Sequence, residues 1–132
     1  MASPAVIEPT VQKTNGDCVI ASLAMVLGLP YVEVSKVAEA IQPDAQYNGI
    51  TMRVAQRITN KLVGRQLQSI NPKATETDLE SETGVLWLRM GREYHAVVLF
   101  EGVVYNPADG LIWNLHAYLA TKKAHVVRLL RP

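Results

Sequence analysis

Apolar and polar positions divide the chain into two unlike halves. In the first half apolar residues recur at helical spacing. "CVIASLAMVL", Cys18 to Leu27, is apolar on every side, which marks a buried helix. Gly28 and Pro30 follow it as a stop, and Asp17 or Asn15 stands where an N-cap belongs. "YVEVSKVAEAI" gathers Val34, Val37, Ala38 and Ile41 on one face, and "TMRVAQRITNKLVG" gathers Val54, Ile58 and Leu62. The polar stretch "NPKATETDLESETG" is a connection with room for one helical turn, capped by Thr77 with Glu80 returning the bond.

After Gly84 the period shortens. "VLWLRM", "HAVVLF" and "VVY" are short, β-rich runs, and Glu101-Gly102 is the turn between the last two. A helix over Asn114 to Lys122 and a closing strand "HVVRLL" complete the pattern. Helices gathered first and strands later predict an α+β fold, with N-terminal helices packed on a C-terminal antiparallel sheet. No repeat, low-complexity tract or composition shift divides residues 1–132, so one domain is expected.

Composition changes this picture little. Of 132 residues, 48% are hydrophobic and 19% charged, as in an ordinary globular domain, and a net charge of +1 points to no class of partner. A single cysteine cannot form an internal disulfide, so nothing requires an oxidising compartment. The run from Val19 to Leu29 is too short to span a membrane, and "MASPAVIEP" lacks the basic start and apolar run of a secretory signal. A cytoplasmic location without a membrane partner is the expectation.

That lone cysteine is the main chemical question. Most free cysteines are small core residues. Cys18, however, begins the first helix, where unpaired N–H groups and the helix dipole favour a thiolate. A base for it is legible in the hairpin. If Glu101 and Gly102 form a two-residue loop, Phe100 pairs with Val103, and His95 lies opposite Ala108. Asn106 then sits one diagonal step away on the same face, about 7–8 Å off and within reach of the imidazole. An amide there can fix the tautomer of a catalytic histidine. The same register sends Asp109 to the opposite face, as part of an "NPADG" turn.

"QKTNGDCVIASLAM" resembles the cysteine motif of the bacteriocin-processing, double-glycine-leader peptidases, a branch of the papain-like cysteine peptidases. Gln12, Asp17, Cys18, Ala21 and Met25 stand at its positions, and "HAVVLFEGVVYNP" looks like its histidine motif. Asn106 stands where this branch usually has Asp, although papain-like enzymes more widely use Asn. The resemblance implies a papain-like fold and a cysteine peptidase without cofactor or metal. In it Cys18 is the nucleophile, His95 the base and Asn106 its orienting group. Gln12 and the Cys18 backbone N–H would stabilise the oxyanion. The implied substrate is a peptide or protein with Gly-Gly at the cleavage site. An acyltransferase or amidase could use the same dyad, and a non-catalytic peptide-binding domain could keep the same fold.

Other residues carry less chemistry. His116 and His125 have no partner at metal-ligand spacing and are read as structural. Arg53, Arg57, Lys61 and Arg65 form a basic stripe that would suit an acidic partner or nucleic acid. It is also the solvated face opposite Val54, Ile58 and Leu62, and that reading is preferred, so no nucleic-acid partner is expected. Trp87 and Trp113 are read as core or cleft-wall residues.

Overall fold

A computed structural model describes residues 7, 9–14, 16–45 and 49–132. It is α+β, as the pattern predicts. Among the described residues three helices come first: α1 (Cys18–Leu27), α2 (Tyr31–Ile41) and α3 (Met52–Val63). After them come β1 (Gln68–Ile70), α4 (Pro72–Thr75) and a 3-10 turn at Leu79–Ser81. β2 (Thr83–Met90), β3 (Glu93–Phe100), β4 (Val103–Tyr105), β5 (Ile112–Asn114), α5 (Leu115–Lys122) and β6 (His125–Arg131) complete the order. The strands form one antiparallel sheet in the order β1-β6-β2-β3-β4-β5.

Alternation along the strands builds two cores. Val85, Trp87, Ala96, Val98 and Leu130 face α1, α2 and α3. Leu86, Leu88, Val97, Leu99, Val104 and Leu129 face the other way, onto Leu115 and Tyr118 of α5. The central strands are therefore covered on both sides, and the C-terminal helix forms a third layer that the helices-on-sheet expectation did not include. Helix α1 is apolar all round because it lies between β3 and the other helices, and every residue from Val19 to Leu27 is buried. Gly28 at φ 67° ends it, with Leu29 N–H donating to Ala24 C=O at 3.0 Å in a Schellman closure. On α3 the deepest residues are Ala55, Ile58 and Thr59, while Val54 and Leu62 flank that stripe half-buried.

Local chemistry departs from the sequence reading in three places. Asp17 precedes α1 but makes no capping bond to it; its carboxylate is used elsewhere, as described below. The alternative cap, Asn15, lies outside the described residues. In the polar connection, Asn71 rather than Thr77 caps the short helix, with Pro72 in the first turn, and Asp78 caps the 3-10 turn. The carboxylate of Glu80 instead meets the His116 ring on the surface. Strands β1 and β5, three residues each, were not expected at all.

The β3–β4 hairpin follows the expected register, with Phe100 opposite Val103 and Val98 opposite Tyr105. Glu101 and Gly102 both take positive φ, 49° and 81°, which gives the two-residue turn the twist its strands need. Between β2 and β6 the register shifts at Trp87/Leu88, so that Trp87 pairs with Arg128 and Leu88 with Val126, and Val127 is left unpaired.

Gly84 is fixed by close approach. A Cβ placed there would lie 2.3 Å from the Leu130 carbonyl oxygen. Gly84→Ala must therefore push β2 from β6, and it is expected to cost about 1–3 kcal/mol, the usual range for overpacking. Urea denaturation would measure it, and an unchanged midpoint would show that the sheet yields freely there.

Candidate active site

The site begins at the first turn of α1, whose leading N–H groups have no acceptor within the helix. Cys18 is its first residue and is partly buried. The segment before it is held by Asp17, fully buried, whose carboxylate accepts from the N–H groups of Lys13 and Thr14 at 2.7 and 3.0 Å and from the Tyr31 hydroxyl. Asp17 thus folds the preceding loop back on itself and ties it to α2. Four residues past Cys18 on the same helix face, Ser22 is also fully buried and donates its hydroxyl to the Ala96 carbonyl at 3.3 Å. The backbone N–H of that same Ala96 favours the thiolate form of Cys18. The two side chains therefore straddle the residue next to His95.

Cys18 and His95 share the wall of one cavity of about 510 Å3. Val19, Ile50, Met52, Trp87, Ala96 and Val127 supply most of the rest, and among the described residues no Asp, Glu, Lys or Arg lines it. Val127, the residue freed by the bulge, is thereby part of the cleft. Tyr94 stands at the wall with 62% of its surface exposed.

Behind His95 the chain departs from the expected ladder. Pairing stops at Tyr105, and the backbone turns, with Gly110 N–H donating to Asn106 C=O at 2.8 Å. His95 consequently has no strand partner at Ala108. Asn106, 5% exposed, instead reaches the ring directly, its Oδ1 lying 2.9 Å from His95 Nε2.

Two further contacts fix what that bond is. The Ala108 N–H donates to Asn106 Oδ1 at 3.1 Å, so that atom is the oxygen. Asn106 Nδ2 donates to Asp109 Oδ2 at 3.2 Å, so the other is the nitrogen. An amide oxygen only accepts, so the neutral imidazole carries its proton on Nε2 and leaves Nδ1 as the basic atom. Asp109, expected on the opposite face, thus joins the same network. The overlooked signal was its place in "NPADG": a turn Asp accepts a bond two residues on, as here from Leu111 N–H at 2.8 Å.

Gln12 is brought near this segment through its backbone, whose N–H donates to the Pro107 carbonyl at 2.9 Å. Its side chain is not part of the cavity wall. Nε2 donates to Thr14 C=O at 2.7 Å, and Oε1 is buried without a partner among the described residues. The structure therefore brings Cys18 and His95 to one cleft and Asn106 to His95, and sets Gln12 in the loop leading to α1.

Electrostatics favour an uncharged resting pair. Burial pushes the Cys18 thiol up, and the Asp17 carboxylate adds to this, against N–H groups of Ala96 and Val19 that favour the thiolate. Burial pushes His95 down, against the bond to Asn106 and the charge of Asp109; Lys122 assists the lowering. Among the described residues no three Cys, His, Asp or Glu side chains cluster as metal ligands, and no helix is long and apolar enough to cross a membrane. His125 is exposed on β6. Arg53, Arg57, Lys61 and Arg65 are exposed on and just beyond α3. The chain matches no protein-family model, no curated protein and no solved structure.

These directions set a pH test. Without His95 the buried thiol should ionise above the free-cysteine value of about 8.5. With His95 present, Nδ1 can take the proton and reaction begins at lower pH. The alkylation rate of Cys18 against pH is therefore expected to rise earlier in the native protein than in His95→Ala. Superimposable profiles would mean that the two groups do not communicate.

Proposed function

We propose that the protein is a cysteine peptidase with a papain-like arrangement, a nucleophile-bearing helix set against a sheet that carries its base. One observation carries the reading: His95, with Nε2 committed to Asn106, lies in the wall of the cavity that holds Cys18. This combines a nucleophile, a base and a group that fixes the base's tautomer. In the reaction Cys18 Sγ bonds to the carbonyl carbon as its proton passes to His95 Nδ1. Collapse of the tetrahedral intermediate breaks the C–N bond, and the same proton leaves with the amine. Water, deprotonated by His95, then cleaves the thioester. The oxyanion would be met by the Cys18 backbone N–H and, if the Gln12 side chain turns from the loop toward the cleft, by its amide N–H not bound to Thr14.

The substrate side of the reading rests on the cavity. Its lining of Val19, Ile50, Met52, Trp87 and Val127 suits an apolar side chain beside the scissile bond. That favours a bulky apolar residue over the Gly-Gly pair implied by the sequence resemblance. Burying such a side chain is worth about 1.5–3 kcal/mol, so its peptide should be cleaved at least about tenfold more efficiently than the Gly-Gly analogue.

A peptide panel analysed by mass spectrometry tests both parts. Cleavage should be abolished in Cys18→Ala. In Gln12→Ala it should fall about a hundredfold while Cys18 alkylation stays near native, since an oxyanion donor acts mainly in the transition state. No cleavage of any peptide by the native protein would refute the peptidase reading. Unchanged turnover in Gln12→Ala would remove Gln12 from the oxyanion site.

A further inference from the structure

We infer that Asp109 is a positioning residue of the site, acting through Asn106 to hold His95 in its productive tautomer. The inference rests on the dyad reading above but not on the identity of the substrate. Its basis is the donor count around one carboxylate. Asn106 Nδ2 and Trp113 Nε1 point at Asp109 Oδ2 from 3.2 and 3.3 Å, and Leu111 N–H points at Oδ1 from 2.8 Å. Three donors converge, and each oxygen must accept. Only an ionised carboxylate does so at both oxygens; a carboxamide has one acceptor and presents N–H groups at its other end.

The geometry of Asn106 depends on this. Its amide has two orientations of similar shape, related by a half-turn about the terminal bond. The orientation seen gives His95 an oxygen, and the other would give it an N–H. In the second case Nε2 would have to accept, the ring proton would move to Nδ1, and the basic atom that the dyad reading assigns to Nδ1 would be lost. The Ala108 N–H on Oδ1 and the Asp109 carboxylate on Nδ2 both oppose the half-turn. Asp109 is exposed, yet its partner Asn106 is buried, so the constraint acts in the buried half of the network. Trp113 is itself held, edge-on to Tyr118 at 5.6 Å and under the Lys122 ammonium at 5.3 Å, and this anchors the carboxylate to α5 on the far side of the sheet.

Asp109 also places a negative charge near His95, opposed by Lys122, and the Cys18 thiol faces the same cavity. Removing that charge should make His95 harder to protonate.

The test is Asp109→Asn, which keeps the size of the side chain and removes its charge and one acceptor. NMR of the His95 ring should show its titration shifted to lower pH by about half a unit or more. The acid limb of the Cys18 alkylation profile should move with it. On a cleaved peptide kcat should drop about tenfold, the scale of losing an outer-shell partner, with KM little changed. Trp113→Phe removes one donor to the carboxylate without touching Asn106 and should give a smaller shift in the same direction. It also serves as the second variant if Asp109→Asn folds poorly. A His95 titration and alkylation profile equal to the native protein in both variants would overturn the inference. Absence of peptide cleavage by the native protein would instead overturn the peptidase reading and leave the two titration measurements interpretable.

Discussion

Helix α1 lies on β3 with its first turn level with His95 and Ala96, and a buried hydroxyl marks that alignment. Ser22 donates to the Ala96 carbonyl, while the Ala96 N–H favours the thiolate of Cys18, one turn earlier on the same face. The apolar residues Val19 to Leu27 press the helix onto the sheet, but hydrophobic burial is non-directional and would tolerate sliding. A hydrogen bond to one carbonyl does not. The sheet alternation that turns Ala96 and Val98 toward α1 also turns Val97 and Leu99 toward α5, so both layers fix β3 from opposite sides. A shift of α1 along β3 would carry the thiol away from its place in the cavity wall shared with His95.

The polar groups around this contact form two clasps. Asp17 gathers the loop before α1 and ties it to Tyr31, and Asp109 gathers the turn after β4 and ties it to Trp113. The Gln12–Pro107 backbone bond joins one clasped segment to the other. Each clasp spends a carboxylate on backbone and side-chain donors rather than on the reacting atoms. Among the described residues, none that lines the cleft between them carries an acidic or basic side chain other than His95. Burial, the largest influence on both groups, pushes Cys18 up and His95 down, toward a neutral pair. On the proposed peptidase reading, such a pair would transfer its proton as the sulfur attacks, and the N–H groups of Ala96 and Val19, which favour the thiolate, would support the developing negative charge.

Elements with a full period of sequence behind them were legible. Helix α1 runs as read because Gly28 and Pro30 stop it, and the β3–β4 register follows from the two-residue Glu101-Gly102 turn. The expectation weakened where local chemistry had several outcomes. An Asp before a helix can cap it or clasp the loop behind it, and the spacing of Asp17 is the same in both cases. The extrapolated ladder ended at Tyr105 because "NPADG" turns the chain, and this brought Asn106 closer to His95 than a diagonal pair would be and brought Asp109 in behind it. Strands β1 and β5 are three residues each, too short to show a period. The cleft wall draws Ile50, Met52, Trp87 and Val127 from separated segments, and no local pattern could have joined them.

The central claim is that Cys18 and His95 act as one chemical unit on a carbonyl group. Its most direct test is to react the protein with an activated ester of a peptide bearing a bulky apolar residue, quench in acid and weigh the intact protein. The account predicts a single acyl group on Cys18 of the native protein within the first turnover and little or none in His95→Ala over the same time. Equal acylation of both proteins, or acylation at a residue other than Cys18, would contradict it.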